Sequence, residues 1–356
     1  MTNIQRLSAA VRGAPIDALL LTGASSRRWA TGFDSTEGLL LVWGGGARFF
    51  VDSRYFEAAE RDIRDAEVRL VGRGQDFCQL VNETLHELGA GTLGFEERAM
   101  TYANFKRFSE KLDADMREAG SLVLDLRASK SERELEGLKK AQAISEKSFL
   151  ETLPLIHKGM TERELAAELT CRMLKNGADD KSFDPIVISG RHTSVPHGVP
   201  EDRALVEGFL TMDFGVKKDG WCSDTTRTVC IGEPTEEMIK VYDTVLRAQE
   251  AGIAFARAGV TGEELDGAAR RVIEEAGYGQ YFGHAFGHGV GLDIHEAPVA
   301  SPGVKEKLPA GAVVSAEPGV YIPGKFGVRI EDVLFLTENG SENLTHLPKK
   351  LQILEL

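Results

Sequence analysis

The stretch Phe282-Gly-His-Ala-Phe-Gly-His-Gly-Val-Gly-Leu-Asp-Ile-His-Glu296 decides how the second half of this chain folds. It holds three of the eight histidines in the sequence, His284, His288 and His295. A helix would place His284 and His288 on one face, but the four glycines of the stretch disfavour a helix. We therefore predict strand and loop. A lone histidine is usually structural, whereas several in a Gly-rich run are typical of a metal or acid/base site.

Two aspartates, Asp213 and Asp224, interrupt strand-like segments on either side of the hairpin loop Lys217-Lys-Asp-Gly220. A four-residue loop would place the two carboxylates directly opposite each other, and a tighter Asp219-Gly220 turn would place them on the diagonal. Both registers leave them on one face, because side chains alternate with a period of two. Two buried carboxylates repel each other unless a cation lies between them. The alternative is two solvated strand aspartates.

Two further acidic motifs follow in the sequence. Glu317 ends a predicted strand in Ala316-Glu-Pro-Gly319, and Arg329 and Glu331 are two residues apart, which predicts that they share one strand face. The alternative for the second motif is a surface ion pair. Together the motifs supply four carboxylates and one imidazole, too many for one tetrahedral zinc. They suit two divalent ions such as Mn²⁺, Co²⁺ or Zn²⁺, bridged by carboxylates and a water.

The overall composition excludes several kinds of partner. The chain has 42 Lys and Arg against 55 Asp and Glu, a net charge of −13. This acidic excess argues against nucleic acid or an anionic membrane as the main partner, since both require basic surfaces. No segment approaches the ~20 uncharged apolar residues of a membrane helix. The four cysteines have no paired spacing, so we expect reduced thiols in a cytoplasmic protein.

The pattern along the chain predicts an α/β (α+β) protein with two domains, residues 1–126 and 127–356. Strand-like and helix-like runs alternate in the first part, which predicts a small α/β domain with a mixed sheet. Gly44-Gly-Gly46 predicts a hairpin turn between two of its strands. Capping-box patterns then open helices after Ser131, Thr161 and Thr261. From Phe183 onward, short strands alternate with Gly-rich turns. The second domain is therefore predicted as helices packed on an antiparallel or mixed sheet.

The motifs in this order resemble the pita-bread metallopeptidases, and within them the proline-specific branch of prolidase and aminopeptidase P. The motifs that carry the resemblance are Met212-Asp-Phe-Gly215, Ser223-Asp-Thr-Thr-Arg-Thr228, His284-x-x-x-His-Gly-x-Gly-Leu-x-x-His295, Glu317-Pro-Gly319 and Arg329-Ile-Glu331. In the N-terminal part, Ala30-Thr-Gly-Phe33 and Val51-Asp-Ser-Arg-Tyr55 resemble the creatinase-type domain that precedes the catalytic domain in that branch. The resemblance implies a creatinase-type N-terminal domain followed by a pita-bread catalytic domain.

The resemblance also implies the site residues. Two divalent metal ions (Mn, Co or Zn) would be held by five ligands: Asp213, Asp224, His288, Glu317 and Glu331. Among these, Asp224 and Glu331 match the ligands that bridge both ions, and Glu317 can also take and return a proton. Arg329 matches an arginine that orients the bridging ligands. The histidines that match those around the scissile peptide are His197, His284 and His295.

The activity implied by the resemblance is hydrolysis of the N-terminal Xaa-Pro bond by a metal-bridged hydroxide. Its substrates are proline-containing dipeptides or short peptides, and we favour an Xaa-Pro dipeptidase over an Xaa-Pro aminopeptidase. Three alternatives fit less well. Methionine aminopeptidase lacks the N-terminal domain, creatinase needs no metal, and a non-catalytic binding protein on this fold would have lost ligands.

The resemblance implies a homodimer too, because the small domain of this branch often reaches a neighbouring subunit's site. The loop Gly32–Glu37 is the candidate segment. Within it, Asp34 could contact a substrate amine or hold one of the nearby arginines, Arg27, Arg28, Arg48 and Arg54. The alternative is that all of these are ordinary solvated loop residues.

Overall fold

Leucine-rich segments form the centre of the first of two units in this computed structural model, which describes residues 1–355. The units are Met1–Arg127 and the chain from Ala128 onward. In the first unit, all four side chains of Ala18–Leu21 are buried, as expected for a strand covered on both faces. The six strands of this unit are β1 (Ala18–Leu21), β2 (Leu39–Trp43), β3 (Gly46–Val51), β4 (Glu67–Leu70), β5 (Thr92–Phe95) and β6 (Asp115–Glu118).

These strands form one mixed sheet in the order β4-β3-β2-β1-β5-β6. The β1–β2 and β2–β3 pairs are antiparallel, and the β3–β4, β1–β5 and β5–β6 pairs are parallel. Trp43 pairs with Gly46 across a two-residue turn, which confirms the hairpin predicted at Gly44–Gly46. The helices of the first unit are α1 (Asn3–Arg12), α2 (Ala24–Thr31), α3 (Phe56–Asp62), α4 (Phe77–Leu88), α5 (Tyr102–Lys111) and α6 (Ser121–Ala128).

Long helices and short strands build the second unit, as predicted. Its helices are α7 (Glu132–Thr152), α8 (Glu162–Lys175), α9 (Glu236–Phe255) and α10 (Gly262–Glu275). The capping boxes expected at Ser131, Thr161 and Thr261 are all present. Helix α9, which follows the cap residue Thr235, was not predicted. Three short 3₁₀ helices complete the helical elements: Leu153–Leu155, Gly190–Ser194 and Gly279–Tyr281.

The strands of the second unit form four small sheets. They are β7 (Asp180–Lys181), β8 (Ile186–Ser189), β9 (Gly208–Phe214), β10 (Val216–Lys218), β11 (Trp221–Cys222), β12 (Thr225–Ile231), β13 (Gly287–Gly289), β14 (Glu296–Ala300), β15 (Val313–Ala316), β16 (Gly319–Ile322), β17 (Phe326–Arg329), β18 (Asp332–Thr337), β19 (Gly340–Asn343) and β20 (Ile353–Leu354). The sheet orders are β11-β10-β7, β20-β12-β9-β8, β14-β13-β15-β18-β19 and β16-β17.

The hairpin after Asp213 uses the tighter of the two predicted registers. Lys218 pairs with Trp221, so the turn is Asp219-Gly220, and both turn residues have positive φ angles of 51° and 87°. This backbone matches a two-residue hairpin turn of the kind that favours Asp-Gly. Asp213 itself pairs with Thr226 in the same register. Asp213 and Asp224 are therefore on the diagonal of one face, and the four-residue loop is excluded.

One detail of the strand prediction is wrong. Arg329 is the last residue of β17, and Glu331 lies between β17 and β18, which belong to different sheets. The chain leaves the β16–β17 pair here. The Glu331 N–H donates to the carbonyl of Thr226 on β12, at 3.1 Å, and not to β16. Arg329 and Glu331 therefore do not share one strand face; they lie where the chain passes from one sheet to another.

All four cysteines are free thiols, and three of them lie in separate hydrophobic cores. Cys78 packs in the core of the first unit, and Cys222 and Cys230 belong to two different cores of the second. Burial raises the pKa of Cys222 to about 12 and that of Cys230 to about 11. Cys171, on α8, is only partly covered. Within residues 1–355, no helix combines the length and apolar character needed to span a membrane.

Candidate metal centre

Close backbone contacts bring the acidic and imidazole side chains of the second unit together. A Cβ atom on Gly215 would lie 2.0 Å from the Ser223 carbonyl oxygen, and one on Gly287 would lie 1.9 Å from that of Ser315. No side chain fits at such distances. Glycine at these positions therefore allows the segments that carry Asp213, Asp224 and His288 to approach their neighbours.

Three donors form the centre of the site. Ligand atoms of Asp224, His288 and Glu331 all lie within 4.8 Å of one another. The Nε2 atom of His288 is 3.6 Å from Asp224 Oδ2 and 3.2 Å from Oε1 of Glu317, which adds a fourth donor. These four side chains come from different strands and connections, so the fold rather than a local motif creates the cluster.

A buried arginine joins the fifth donor to the others. The Arg329 Nη2 atom donates to Asp213 Oδ2 at 2.5 Å, and its Nε donates to the Thr226 hydroxyl at 3.1 Å. The Thr226 hydroxyl in turn donates to Glu331 Oε2 at 2.8 Å. Arg329 Nη1 donates to the Tyr321 hydroxyl at 2.7 Å. Arg329 therefore fixes one oxygen of Asp213 directly and one oxygen of Glu331 through a threonine.

The remaining oxygens of these carboxylates fit a cation. Asp213 Oδ1 and Glu331 Oε1 are buried and have no hydrogen-bond partner in the described chain. A buried acceptor without a partner is costly unless a ligand supplies positive charge. Carboxylate oxygens and an imidazole nitrogen are donors that Mn²⁺, Co²⁺ and Zn²⁺ accept. The donor set therefore fits the predicted pair of divalent ions.

The pKa shifts show how much negative charge the site concentrates. Burial raises the pKa of Asp213, Asp224 and Glu331, and the nearby carboxylates raise each one further. Burial acts in the same direction on Glu317, but the hydrogen bond and charge of His288 outweigh it and hold the Glu317 pKa well below its usual value. For His288, burial is outweighed by the hydrogen bond that its ring donates to Glu317 and by the charge of that carboxylate, so the His288 pKa rises. Both shifts favour the charged forms of Glu317 and His288.

The three other predicted histidines lie around this cluster. The rings of His295 and His288 have centroids 4.2 Å apart. His284 contacts the Tyr321 hydroxyl through Nε2 at 3.0 Å and the Ala285 carbonyl through Nδ1 at 2.8 Å. Burial is the main cause of the lowered pKa of His284 and of His295. His197 follows Pro196, whose carbonyl accepts from Arg329 Nη1 at 3.3 Å. The structure thus brings all the predicted site residues into one region.

Three residues of this region were not predicted from the sequence. Thr226 bonds Glu331 and Arg329, and Tyr321 bonds Arg329 and His284. The third is Ser315, whose hydroxyl accepts from the His288 N–H and donates to Glu317 Oε1, both at 3.0 Å. Burial raises the pKa of Tyr321 to about 12, so its hydroxyl stays protonated. For Thr226 and Ser315, the sequence does contain a signal, which is their spacing from predicted ligands. Thr226 and Ser315 are each two residues from a predicted ligand, the spacing of one strand face.

Comparison with known proteins assigns the two units. Residues 136–338 match metallopeptidase family M24, and residues 3–129 match the Creatinase/Prolidase N-terminal domain. The chain is 36% identical to an Xaa-Pro dipeptidase of Pyrococcus horikoshii over 341 residues, 94% of each chain.

Solved structures agree with this assignment. An Xaa-Pro dipeptidase from Bacillus anthracis superimposes with a TM-score of 0.95 at 41% identity, covering 99% of both chains. An X-Pro aminopeptidase from Thermotoga maritima gives a TM-score of 0.90 at 39% identity, covering 97% of this chain and 99% of its own. The predicted creatinase-type domain and pita-bread catalytic domain are confirmed. The chain belongs to metallopeptidase family M24.

Proposed function

We propose that this protein is an Xaa-Pro dipeptidase that works with two divalent metal ions, Mn, Co or Zn. The observation that carries the proposal is the buried set of four carboxylates and one imidazole, in which two carboxylate oxygens have no protein partner. The similarity to Xaa-Pro dipeptidases over nearly the whole chain supports the substrate class. An Xaa-Pro bond has no N–H group, so a site shaped for the pyrrolidine ring can select it.

We assign Asp213, Asp224, His288, Glu317 and Glu331 as the residues that would hold the two ions, and Asp224 and Glu331 would be the two that both ions share. When bound, the ions would supply an activated water as nucleophile and polarise the scissile carbonyl. Arg329 keeps Asp213 in place through their 2.5 Å hydrogen bond, and Thr226 keeps Glu331 in place.

The protein supplies the proton transfers. Ser315 donates to Glu317 Oε1, which leaves Oε2 of the same carboxylate to take a proton from the water and return it to the leaving nitrogen. The three histidines that we assign to the scissile peptide are His197, His284 and His295. A ring N–H of His197 or His295 can hydrogen-bond the oxyanion that develops at the carbonyl, whereas the Nδ1–H of His284 is donated to the Ala285 carbonyl.

An Xaa-Pro aminopeptidase is the second candidate, because the Thermotoga maritima structure carries that name and aligns over almost all of this chain. A dipeptidase must bind the free carboxylate beyond proline with a cation, whereas an aminopeptidase leaves that end open. The loop Gly32–Glu37 bears on this choice. Within the loop, the Asp34 carboxylate pairs with Arg28 at 2.7 Å, and the Asp34 side chain is 68% exposed.

Substrate length and sequence decide between the candidates. With metal loaded, Ala-Pro should be cleaved far faster than Ala-Ala, and faster than Ala-Pro-Ala. Equal kcat/KM for Ala-Pro and Ala-Ala would indicate a general peptidase, and faster cleavage of the tripeptide would favour the aminopeptidase. Turnover of Met-Ala-Ser or creatine tests the two more distant alternatives. Repeating both proline substrates with Asp34→Ala shows whether the loop takes part.

We further propose residues 1–126 as the N-terminal domain, residues 127–356 as the catalytic domain, and a cytoplasmic homodimer as the working form. The family matches at 3–129 and 136–338 support the boundary. The four free thiols support a reducing compartment. The dimer rests on the family resemblance alone, and light scattering of the purified protein tests it.

A further inference from the structure

Helix α10 carries a buried ion pair that belongs to none of the metal-centre contacts. Asp266 and Arg270 are one helical turn apart, and their side chains are 2% and 19% exposed. Arg270 Nε donates to Asp266 Oδ2 at 2.6 Å and Nη2 donates to Oδ1 at 2.9 Å. This is the bidentate geometry that only a guanidinium provides.

The same two side chains also bind the backbone of a neighbouring segment, Phe282–Phe286. Arg270 Nη1 donates to the Phe282 carbonyl at 2.9 Å, and Nη2 donates to the His284 carbonyl at 2.7 Å. Asp266 Oδ1 accepts from the Phe286 N–H at 2.9 Å. The guanidinium carbon lies 4.1 Å from the centre of the Phe282 ring, a cation–π contact.

The segment needs such support because it has little structure of its own. It lies between the 3₁₀ helix Gly279–Tyr281 and strand β13, and it contains Gly283. The hydrogen bonds of the His284 ring, to the Ala285 carbonyl and the Tyr321 hydroxyl, fix the rotation of the ring but not the position of the backbone that carries it. Asp266 and Arg270 hold the backbone on both sides of His284, and the Glu317 N–H adds a bond to the Phe286 carbonyl at 2.8 Å.

We propose that Asp266 and Arg270 are positioning residues for His284, and that they set the turnover rate without contributing to metal binding. The inference rests on the proposed function, since it assigns the pair to a histidine that contacts the scissile peptide. A displacement of about 1 Å in a reacting group can cost roughly 100-fold in rate. The pair acts by keeping the His284 ring within that tolerance.

Arg270→Lys tests the proposal, because lysine keeps the charge but the three donors of its single nitrogen cannot replace the four bonds that Arg270 makes through three separate nitrogens. We expect kcat on Ala-Pro to fall roughly 10- to 100-fold, with metal content and KM little changed. In a His284→Ala background, the same substitution should change kcat by less than about twofold, since the group it positions is gone. Equal losses in both backgrounds, or an unchanged kcat in the first, would overturn the proposal.

Two further measurements separate this proposal from the proposed function. Amide hydrogen exchange at Phe286 should accelerate in Arg270→Lys and in Asp266→Asn, whatever the substrate. An unchanged exchange rate would contradict the proposal that Asp266 and Arg270 hold this backbone segment. If wild-type enzyme fails to cleave Xaa-Pro peptides while the exchange result holds, only the substrate assignment is wrong. The matched control is Arg172→Lys on α8. It alters another ion pair at i,i+4 spacing, the pair between Arg172 and Glu168 at 2.8 Å.

Discussion

Replacing Thr226 with valine should weaken metal binding while leaving the fold intact. The side chain is fully buried on β12, and valine has nearly the same shape. The substitution therefore removes one hydroxyl and little else. That hydroxyl donates to Glu331 Oε2 at 2.8 Å and accepts from Arg329 Nε at 3.1 Å.

The expected size of the effect follows from these two bonds. Glu331 Oε1 already lacks a protein partner, so losing Thr226 leaves the whole carboxylate without a hydrogen-bond donor in the described chain. A hydrogen bond to a charged group contributes about 1.5–3 kcal/mol. Since ~1.4 kcal/mol corresponds to a factor of ten, metal affinity should fall roughly 10- to 100-fold, the usual effect of losing a residue that supports a ligand.

The assay is a titration of metal-free protein with Mn²⁺, Co²⁺ or Zn²⁺ in competition with a chromophoric chelator. Thr244→Val is the matched control, because Thr244 is also fully buried and its hydroxyl donates to the Lys240 carbonyl at 2.8 Å inside α9. Unchanged or tighter binding in Thr226→Val would refute the role of the hydroxyl. Equal weakening in the control would show that the loss is not specific to Glu331.

Three other substitutions test the remaining assignments. Glu331→Gln should lose activity together with at least one metal ion, measured by atomic absorption, and activity in the metal-free variant would contradict the mechanism. Alanine variants of the three substrate histidines should retain metal and lose roughly two to four orders of magnitude in kcat: His197→Ala, His284→Ala and His295→Ala. Asp76→Asn should destabilise the protein near neutral pH but not in acid. The Lys111 hydrogen bond, followed by the bond from the Cys78 N–H, lowers the Asp76 pKa, so its contribution is present above the unfolded pKa and lost as pH falls through the folded one. Urea midpoints of both proteins across pH check this difference.

The elements predicted correctly are those whose signal is local. Capping boxes located the starts of α7, α8 and α10, and a Gly-rich turn located the β2–β3 hairpin. Helix α2 has no such signal, since Gly23 makes no side-chain cap. Its buried Arg27 donates from Nη2 to the Ser35 carbonyl at 2.9 Å, a contact outside the helix. Helix α9 did have a signal in Thr235 and in its periodic apolar residues. The strand and turn signals of the surrounding chain are stronger than this one.

The same distinction holds for the candidate site. Its charged residues stand out because carboxylates and histidines are unusual in buried strands and Gly-rich loops. The groups that hold them are ordinary residues whose role depends on contacts distant in sequence. Thr226 meets Glu331 more than a hundred positions later, and Asp266 meets Phe286 from another element. The sequence is compatible with both registers of the Asp213 hairpin for a similar reason, because only the positive φ at Asp219 selects the tighter turn.

The positions of the thiols give the molecule a set of built-in reporters of its own unfolding. Cys78, Cys222 and Cys230 lie in three different hydrophobic cores, each shielded from solvent in the folded state. A thiol reagent applied in brief pulses at increasing denaturant should therefore modify each one only when its own core opens. Peptide mapping of the adducts would give a separate unfolding curve for each of the three cores, without any substitution in the protein. Cys171, partly covered on α8, would label first and serve as the internal reference.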